Sequence, residues 1–271
     1  MRRFSIFNAT SLTLGFAFLY IPILLLVIYS FNAGRSVAIW SGWSTKWYGE
    51  LLKDQQLLDA AWVTLRVGLL SATIATVLGT LAAIVLVRYG KFRGSSMFAG
   101  MIYAPLVMPE IITGLSLLLL FVALNLDRGF WTILLAHISF TMCFAAVVVQ
   151  SRLVTFDQSL EEAALDLGCS PSKTFMVITL PIILPAVISA WMLAFTLSID
   201  DLVISSFTTG PGATTLPMRI YSDVRLGVSP KINAVSTVVI CVVTLAVIAA
   251  SIVTKLSEER QAREKRMAAA P

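Results

Sequence analysis

Stretches dominated by apolar residues recur six times along this chain: about Leu12 to Phe31, Ala61 to Val87, Met97 to Ala123, Trp131 to Gln150, Leu184 to Phe207 and Ile232 to Thr254. Crossing the hydrocarbon core of a bilayer takes roughly 20 apolar residues in a helix. The pattern therefore predicts six transmembrane helices in an all-α polytopic membrane protein, organised as a single domain over residues 1–271. An even number of spans puts both termini on one side. The longest polar interruption, Arg152 to Ile183, separates two strongly apolar halves.

Composition agrees with this reading. Of the 271 residues 58% are hydrophobic and 13% charged, with a mean hydropathy of +0.87, whereas soluble domains carry roughly 25% charged residues. The net charge of +5 sits mainly in particular loops and in the tail. Arg2 and Arg3 precede the first span, Arg88, Lys91 and Arg93 follow the second, and Lys255, Arg260, Arg263, Lys265 and Arg266 follow the sixth. The positive-inside rule assigns these segments to the cytoplasm, and Arg152–Ile183 with them. Ala33 to Ala60, Leu124 to Phe130 and Thr208 to Lys231 then lie outside. There Arg35, Lys46, Arg128 and Arg225 form no basic cluster beside a span. Charge so distributed implies lipid contact and no nucleic-acid partner.

The first hydrophobic run is too long for a signal peptide and lacks a small-x-small site at its end, so it is expected to stay as a helix. Trp40, Trp43, Trp47 and Tyr48 crowd the first outer loop. Their rings suit the headgroup zone, and Trp47 to Leu58 reads as an interfacial helix, with substrate stacking as a second reading. Cys143 and Cys241 fall inside spans and Cys169 in the long polar loop, so no disulfide is expected. His137, alone in the fourth span, reads as a bonder between helices rather than a metal ligand.

Catalytic motifs are absent, and Gly90-Lys91 is not part of a phosphate-binding loop because Val85 stands where that loop needs glycine. The chain cannot hold ATP in that cradle, and neither a cofactor nor an enzymatic reaction is expected of it. Active transport would draw on a bound ATPase or on an ion gradient.

Ionisable groups inside spans cost roughly 2.5 to 3.5 kcal/mol at a helix centre unless they face protein or water. Glu110 follows Pro105 and Pro109 in the third span, and Asp200 with Asp201 lie in the fifth. Two readings stand: an acidic path for a cationic solute, with Trp191, Phe195 and Phe207 as cation-π neighbours, or structural carboxylates that cap a broken helix or pair with arginine in another subunit. Trp191 and Phe195, four apart, share a helix face and equally fit core packing.

In the long loop, Ser159 stands three residues before Glu162, the spacing of a capping box. A helix over Leu160 to Leu167 is expected, with Gly168 as a left-handed C-cap and Ser170-Pro171 opening a second short helix. Ala163 and Ala164 let another backbone approach closely. Glu161, Glu162 and Asp166 supply charge for a partner, although the residues alone also fit a solvated loop with two capped turns.

The run Glu162-Ala163-Ala164-x3-Gly168-x9-Ile178-x-Leu180-Pro181 resembles the EAA loop of permease subunits in binding-protein-dependent ABC importers. Phe18 to Pro22, Tyr29 to Asn32, Trp43 with Trp47-Tyr48, Ala104 to Glu110, Ser198 to Asp201, Gly210-Pro211-Gly212, Thr215 to Pro217 and Ile232 to Ala234 extend the likeness over nearly the whole chain. They point to the putrescine/spermidine branch, and within it to the second permease of putrescine systems. Cys169 stands where that branch commonly has alanine, and Lys231 where it has glutamate. The resemblance implies a type I ABC importer permease fold in a bacterial inner membrane, with both termini cytoplasmic. It further implies a second permease, two copies of a cytoplasmic ATPase that binds the ATP, and a periplasmic polyamine-binding protein. On it, Glu161, Glu162, Ala163, Ala164, Asp166 and Gly168 would couple to the ATPase, while Asp200, Asp201, Glu110, Trp191 and Phe195 would line the substrate path. Importers of other solutes, such as iron or an anion, share the loop. An ion-coupled secondary transporter would often carry inverted repeats, and none is seen; a non-transporting scaffold would leave the buried carboxylates idle.

Overall fold

The computed structural model describes residues 6–37, 39–90, 92–227, 230–245 and 248. The described residues are helical apart from loops and a single bridge between Asn32 and Trp43. The helices are α1 (Ile6–Tyr29), α2 (Lys46–Leu51), α3 (Gln55–Arg88), α4 (Ser95–Val107), α5 (Glu110–Ala123), α6 (Phe130–Val154), α7 (Ser159–Asp166), α8 (Pro171–Thr174), α9 (Leu180–Ile199), α10 (Val203–Thr208), α11 (Leu216–Leu226) and α12 (Pro230–Leu245). The chain divides into two compact units, one of Met1–Gln55 with Ser222–Pro271 and the other of Gln56–Tyr221.

Four described helical stretches, α1, α3, α6 and Pro171–Ile199, are long and apolar enough to cross a membrane, and α4 with α5 makes a fifth, broken one. The sixth expected stretch is described as far as Leu245, with Ile248; the basic tail and Lys91 lie outside the described residues. The third apolar stretch, Met97 to Ala123, reads in the sequence as one span. Instead the axis turns by 117° between α4 and α5. Pro109 supplies no N–H and disfavours helical geometry at the residue before it, and Met108 is accordingly extended at φ −77°, ψ 136°. The fifth span also differs: α9 ends at Ile199, and α10 starts afresh at Val203. The aspartate pair therefore stands at a helix break rather than deep within one helix.

In the larger unit α6 is central, with most of its span covered by protein, packed against α9, α4 and α10. Small residues permit that closeness. Ala72, Ala75, Ala83, Ala136, Ala145, Ala146, Ala190 and Ala194 are fully buried. A Cβ added to Gly79 would lie 2.8 Å from the Ala146 nitrogen and 2.9 Å from the Met142 carbonyl oxygen. Helix pairs in lipid gain little from the hydrophobic effect and rely on such backbone approach. Ala83, Ala145, Val149, Leu153, Phe156, Ile183 and Ala190 form the main apolar cluster at the end of the unit nearest the long polar loop.

In the smaller unit α1 buries none of its span within this chain. The expected interfacial helix over Trp47 to Leu58 is divided, because α2 ends at Leu51 and α3 takes over at Gln55. Trp47 is buried and donates through Nε1 to the Asn32 carbonyl at 2.7 Å, while the Tyr48 hydroxyl meets Ser30 at 2.7 Å. Trp40 and Trp43 meet edge to face, and Trp43 is exposed. Lys231 pairs with Asp54, which gives the lysine a structural partner within its own unit.

Candidate functional site

Two constellations in the larger unit carry the polar chemistry. The first is the knuckle formed by α7 and α8. Its opening differs from the expected capping box: Ser159 is already helical, and Asp157 Oδ1 accepts from the Ser159 N–H at 3.0 Å. A carboxylate reaching two residues ahead satisfies an orphan donor and suits the positive helix end. Hydrogen bonds from the Ser159 side chain and N–H hold the Asp157 carboxyl below its usual range. The helix closes as expected. Gly168 takes φ +84°, Gly168 N–H reaches the Leu165 carbonyl at 2.9 Å and Cys169 N–H the Ala164 carbonyl at 3.0 Å, the paired bonds of a Schellman motif. Ser170 caps α8, its Oγ accepting from the Lys173 N–H at 3.4 Å with Pro171 in the first turn.

Between α8 and α9 the chain makes one π turn, Phe175–Thr179, in which Leu180 N–H bonds the Phe175 carbonyl. Pro181 explains it, since in an α-helix its ring would press on the carbonyl four residues back and leave it unpaired. Widening the turn relieves that conflict, and such turns concentrate at functional sites.

Glu162, Ala163, Asp166 and Gly168 are exposed on the knuckle and Ala164 is buried. Leu160, Leu165 and Leu167 are also exposed, giving the face an apolar component. Glu161 behaves differently from the expectation of a partner-facing charge. Its Oε1 lies 3.0 Å from the Arg88 guanidinium and accepts from the Thr179 hydroxyl at 2.5 Å. It is drawn inward because an unpaired cation at the end of α3 is its nearest partner. A cleft of about 310 Å³ lies beside this pair, bounded by Ile84, Tyr89, Leu153, Thr174 and Phe175.

The second constellation is buried where α3, α6, α9 and α10 meet. His137 Nδ1 lies 2.6 Å from Ser198 Oγ, and Ser71 Oγ donates to Ser198 at 2.9 Å. On the other ring edge Nε2 is 3.0 Å from Ser205 Oγ and 3.2 Å from Asp201 Oδ2. Asp201 also accepts from the backbone, with Ile204 N–H at 3.2 Å on Oδ1 and Ser205 N–H at 2.7 Å on Oδ2. An Nε2–H on the ring donates to the Asp201 carboxylate, and Nδ1 pairs with the Ser198 hydroxyl. For Asp201 the helix-capping reading is thus realised: it opens α10 after the break. His137 is the bonder between helices that its isolation in the sequence suggests.

Asp200 ends α9 and is exposed, and Glu110 is exposed at the first turn of α5, where a carboxylate complements the helix dipole. Trp191 and Phe195 stack at 5.1 Å with planes 10° apart, and Trp191 Nε1 donates to Thr73 Oγ1 at 3.0 Å. A Cβ on Gly68 would lie 3.3 Å from the Phe195 ring, so that glycine admits the pair against α3. The sequence reading gave no site role to Ser71, Ser198, Ser205, Arg88 or Thr179. Hydroxyls within apolar spans were the available signal for the serines. Among the described residues no group of histidine, cysteine and carboxylates could hold a metal ion.

Comparison with known proteins gives this geometry its family. The chain is 60% identical over 235 residues, 84% of each chain, to the putrescine transport system permease protein PotI of Escherichia coli strain K12. It is 44% identical over 244 residues, 90% of this chain and 92% of the relative, to the spermidine/putrescine transport system permease protein PotC of the same strain. Among solved structures it superposes on a bacterial ABC transporter that imports the acidic polysaccharide alginate, with a TM-score of 0.69 at 17% identity, over 94% of this chain and 96% of that one. The methionine transporter MetNI gives a TM-score of 0.60 at 18% identity, over 72% and 92%. These likenesses establish the type I permease fold. Residues 75–263 match the family described as binding-protein-dependent transport system inner membrane component, and this multi-pass membrane protein, which carries the EAA knuckle within that match, belongs to it.

Proposed function

We propose that this chain is the permease subunit of an ATP-driven importer of small aliphatic polyamines, and that α7 and α8 are its coupling joint to a cytoplasmic ATPase. The observation that carries the reading is the Glu162-Ala163-Ala164-x3-Gly168 knuckle, exposed at Glu162, Ala163 and Gly168, in a chain 60% identical to a putrescine permease. Its termini and the knuckle lie in the cytoplasm. A second permease completes the path, two ATPase copies bind the ATP, and a periplasmic binding protein delivers the solute.

The chain's own residues divide the work. Asp200 and Glu110, both exposed at helix ends beside breaks, offer carboxylates to ammonium groups, and the stacked Trp191–Phe195 pair offers ring faces to cationic or methylene segments. Asp201 and His137 brace the break and hold Asp200 at its mouth. Closure of the ATPases pushes on α7, and the π turn at the foot of α9 passes that motion to the break. A carboxylate path of this kind selects the sign of the solute's charge and leaves polyamine length to shape.

Reconstitution of the complex in liposomes with the binding protein tests the reading. Labelled putrescine should enter only with ATP, and Asp200→Asn should reduce uptake while leaving the co-purified subunits unchanged. Uptake by this chain without ATP, or polyamine uptake undiminished by the combined Asp200→Asn and Glu110→Gln change, would refute it.

A further inference from the structure

The Arg88–Glu161 pair lies apart from both the cation path and the exposed docking face. Resting on the coupling reading above, we propose that Arg88 is a positioning residue for energy transfer. With Glu161 it forms a strut that makes α7 move together with α3, the exit of α6 and the root of α9.

Four elements converge on this pair. Arg88 is the last residue of α3, and its guanidinium lies 3.0 Å from Glu161 of α7 and 5.0 Å from the ring centre of Phe156, just beyond α6. The same Glu161 oxygen accepts the Thr179 hydroxyl, at the end of the π turn that leads into α9. The side chains are only 16% and 22% exposed, so water screens the contact less than it does a surface pair.

The need for a strut follows from how little else holds α7. It has eight residues, of which Ala164 alone is buried. A helix that short is not stable by itself and gains little from apolar burial when Leu160, Leu165 and Leu167 stay exposed. The π turn lies between α8 and α9, and the Glu161–Thr179 bond ties α7 to its end. Arginine suits the post because a planar fork can bond a carboxylate while lying over a ring, which a lysine ammonium does not reproduce.

The test uses the whole complex, with three readouts taken together: ATPase retained on the permease, ATP hydrolysed, and solute imported. Arg88→Ala should keep the ATPase bound and hydrolysing while solute imported per ATP falls severalfold. Arg88→Lys should recover only part of the ratio, and Arg88→Glu with Glu161→Arg should recover more of it than either single change. An unchanged ratio in Arg88→Ala, or a double swap no better than the singles, overturns the strut. Hydrogen exchange of residues 159–167 in the permease alone gives a measure that needs no ATPase: exchange should rise in Arg88→Ala and fall back in the swap, and unchanged protection overturns the proposal. Failure of the wild-type chain to bind any ATPase would instead defeat the coupling reading, leaving the exchange result to decide the strut.

Discussion

Replacing Asp201 by alanine removes three acceptor roles at once. The Ile204 and Ser205 N–H groups and the His137 Nε2–H lose their carboxylate, in a site where Asp201 is only 8% exposed. Each buried donor left unpaired costs about 1 to 3 kcal/mol. Ser205 Oγ stays within 3.0 Å of His137 and recovers part of the third. The expected loss is therefore about 4 kcal/mol, near the range of about 3 to 5 kcal/mol for breaking a buried polar pair. Asp201→Asn keeps one oxygen for the cap but turns an amide donor toward the ring or the backbone, so its cost should be about half as large. Cys143 is fully buried, which supplies the assay: in a Cys169→Ser, Cys241→Ser background, a thiol-reactive dye reports only opening of the core around α6. The unfolding midpoint in detergent should drop by roughly 10 °C for alanine and less for asparagine. Adding His137→Ala to Asp201→Ala should cost about 1 kcal/mol less than the sum of the single changes, since the two share one network. A midpoint unchanged by Asp201→Ala, or a lower one for asparagine than for alanine, would refute the capping role.

Gly79→Val should destabilise by about 1 to 3 kcal/mol through overpacking, because a Cβ there meets backbone atoms of α6 that cannot move aside; the same dye assay reads it. Glu162→Lys, on the exposed face of α7, should shift the unfolding midpoint little, as surface changes within about 0.5 kcal/mol do, yet weaken ATPase retention on an affinity column. The Asp157 cap carries a pH signature. Its folded carboxyl titrates below the usual 3.8, so the stabilising contribution is whole above that value and is lost as pH falls through the lower folded one. Exchange of α7 amides should rise across that acid window, and Asp157→Asn should remove the dependence.

Much of this protein was legible from one dimension. Apolar runs near the thickness of a bilayer require helices, since a backbone in hydrocarbon must satisfy its own hydrogen bonds, and the spacing of small, acidic and glycine residues in the loop marks the knuckle, its left-handed Gly168 and its Ser170 cap. Local chemistry decides such features. What the tertiary structure alone decided are the choices among partners distant in sequence. Both aspartates at 200 and 201 read alike, yet only Asp201 faces His137 across 64 positions of chain, as His137 likewise reaches Ser198 and Ser205. Glu161 and Glu162 read alike too, until the end of α3 brings Arg88 beside one of them. Periodicity assigns a residue to a helix and nearly to a face. Which neighbour that face meets depends on where breaks such as Met108-Pro109 redirect the chain, and so on packing summed over the whole fold.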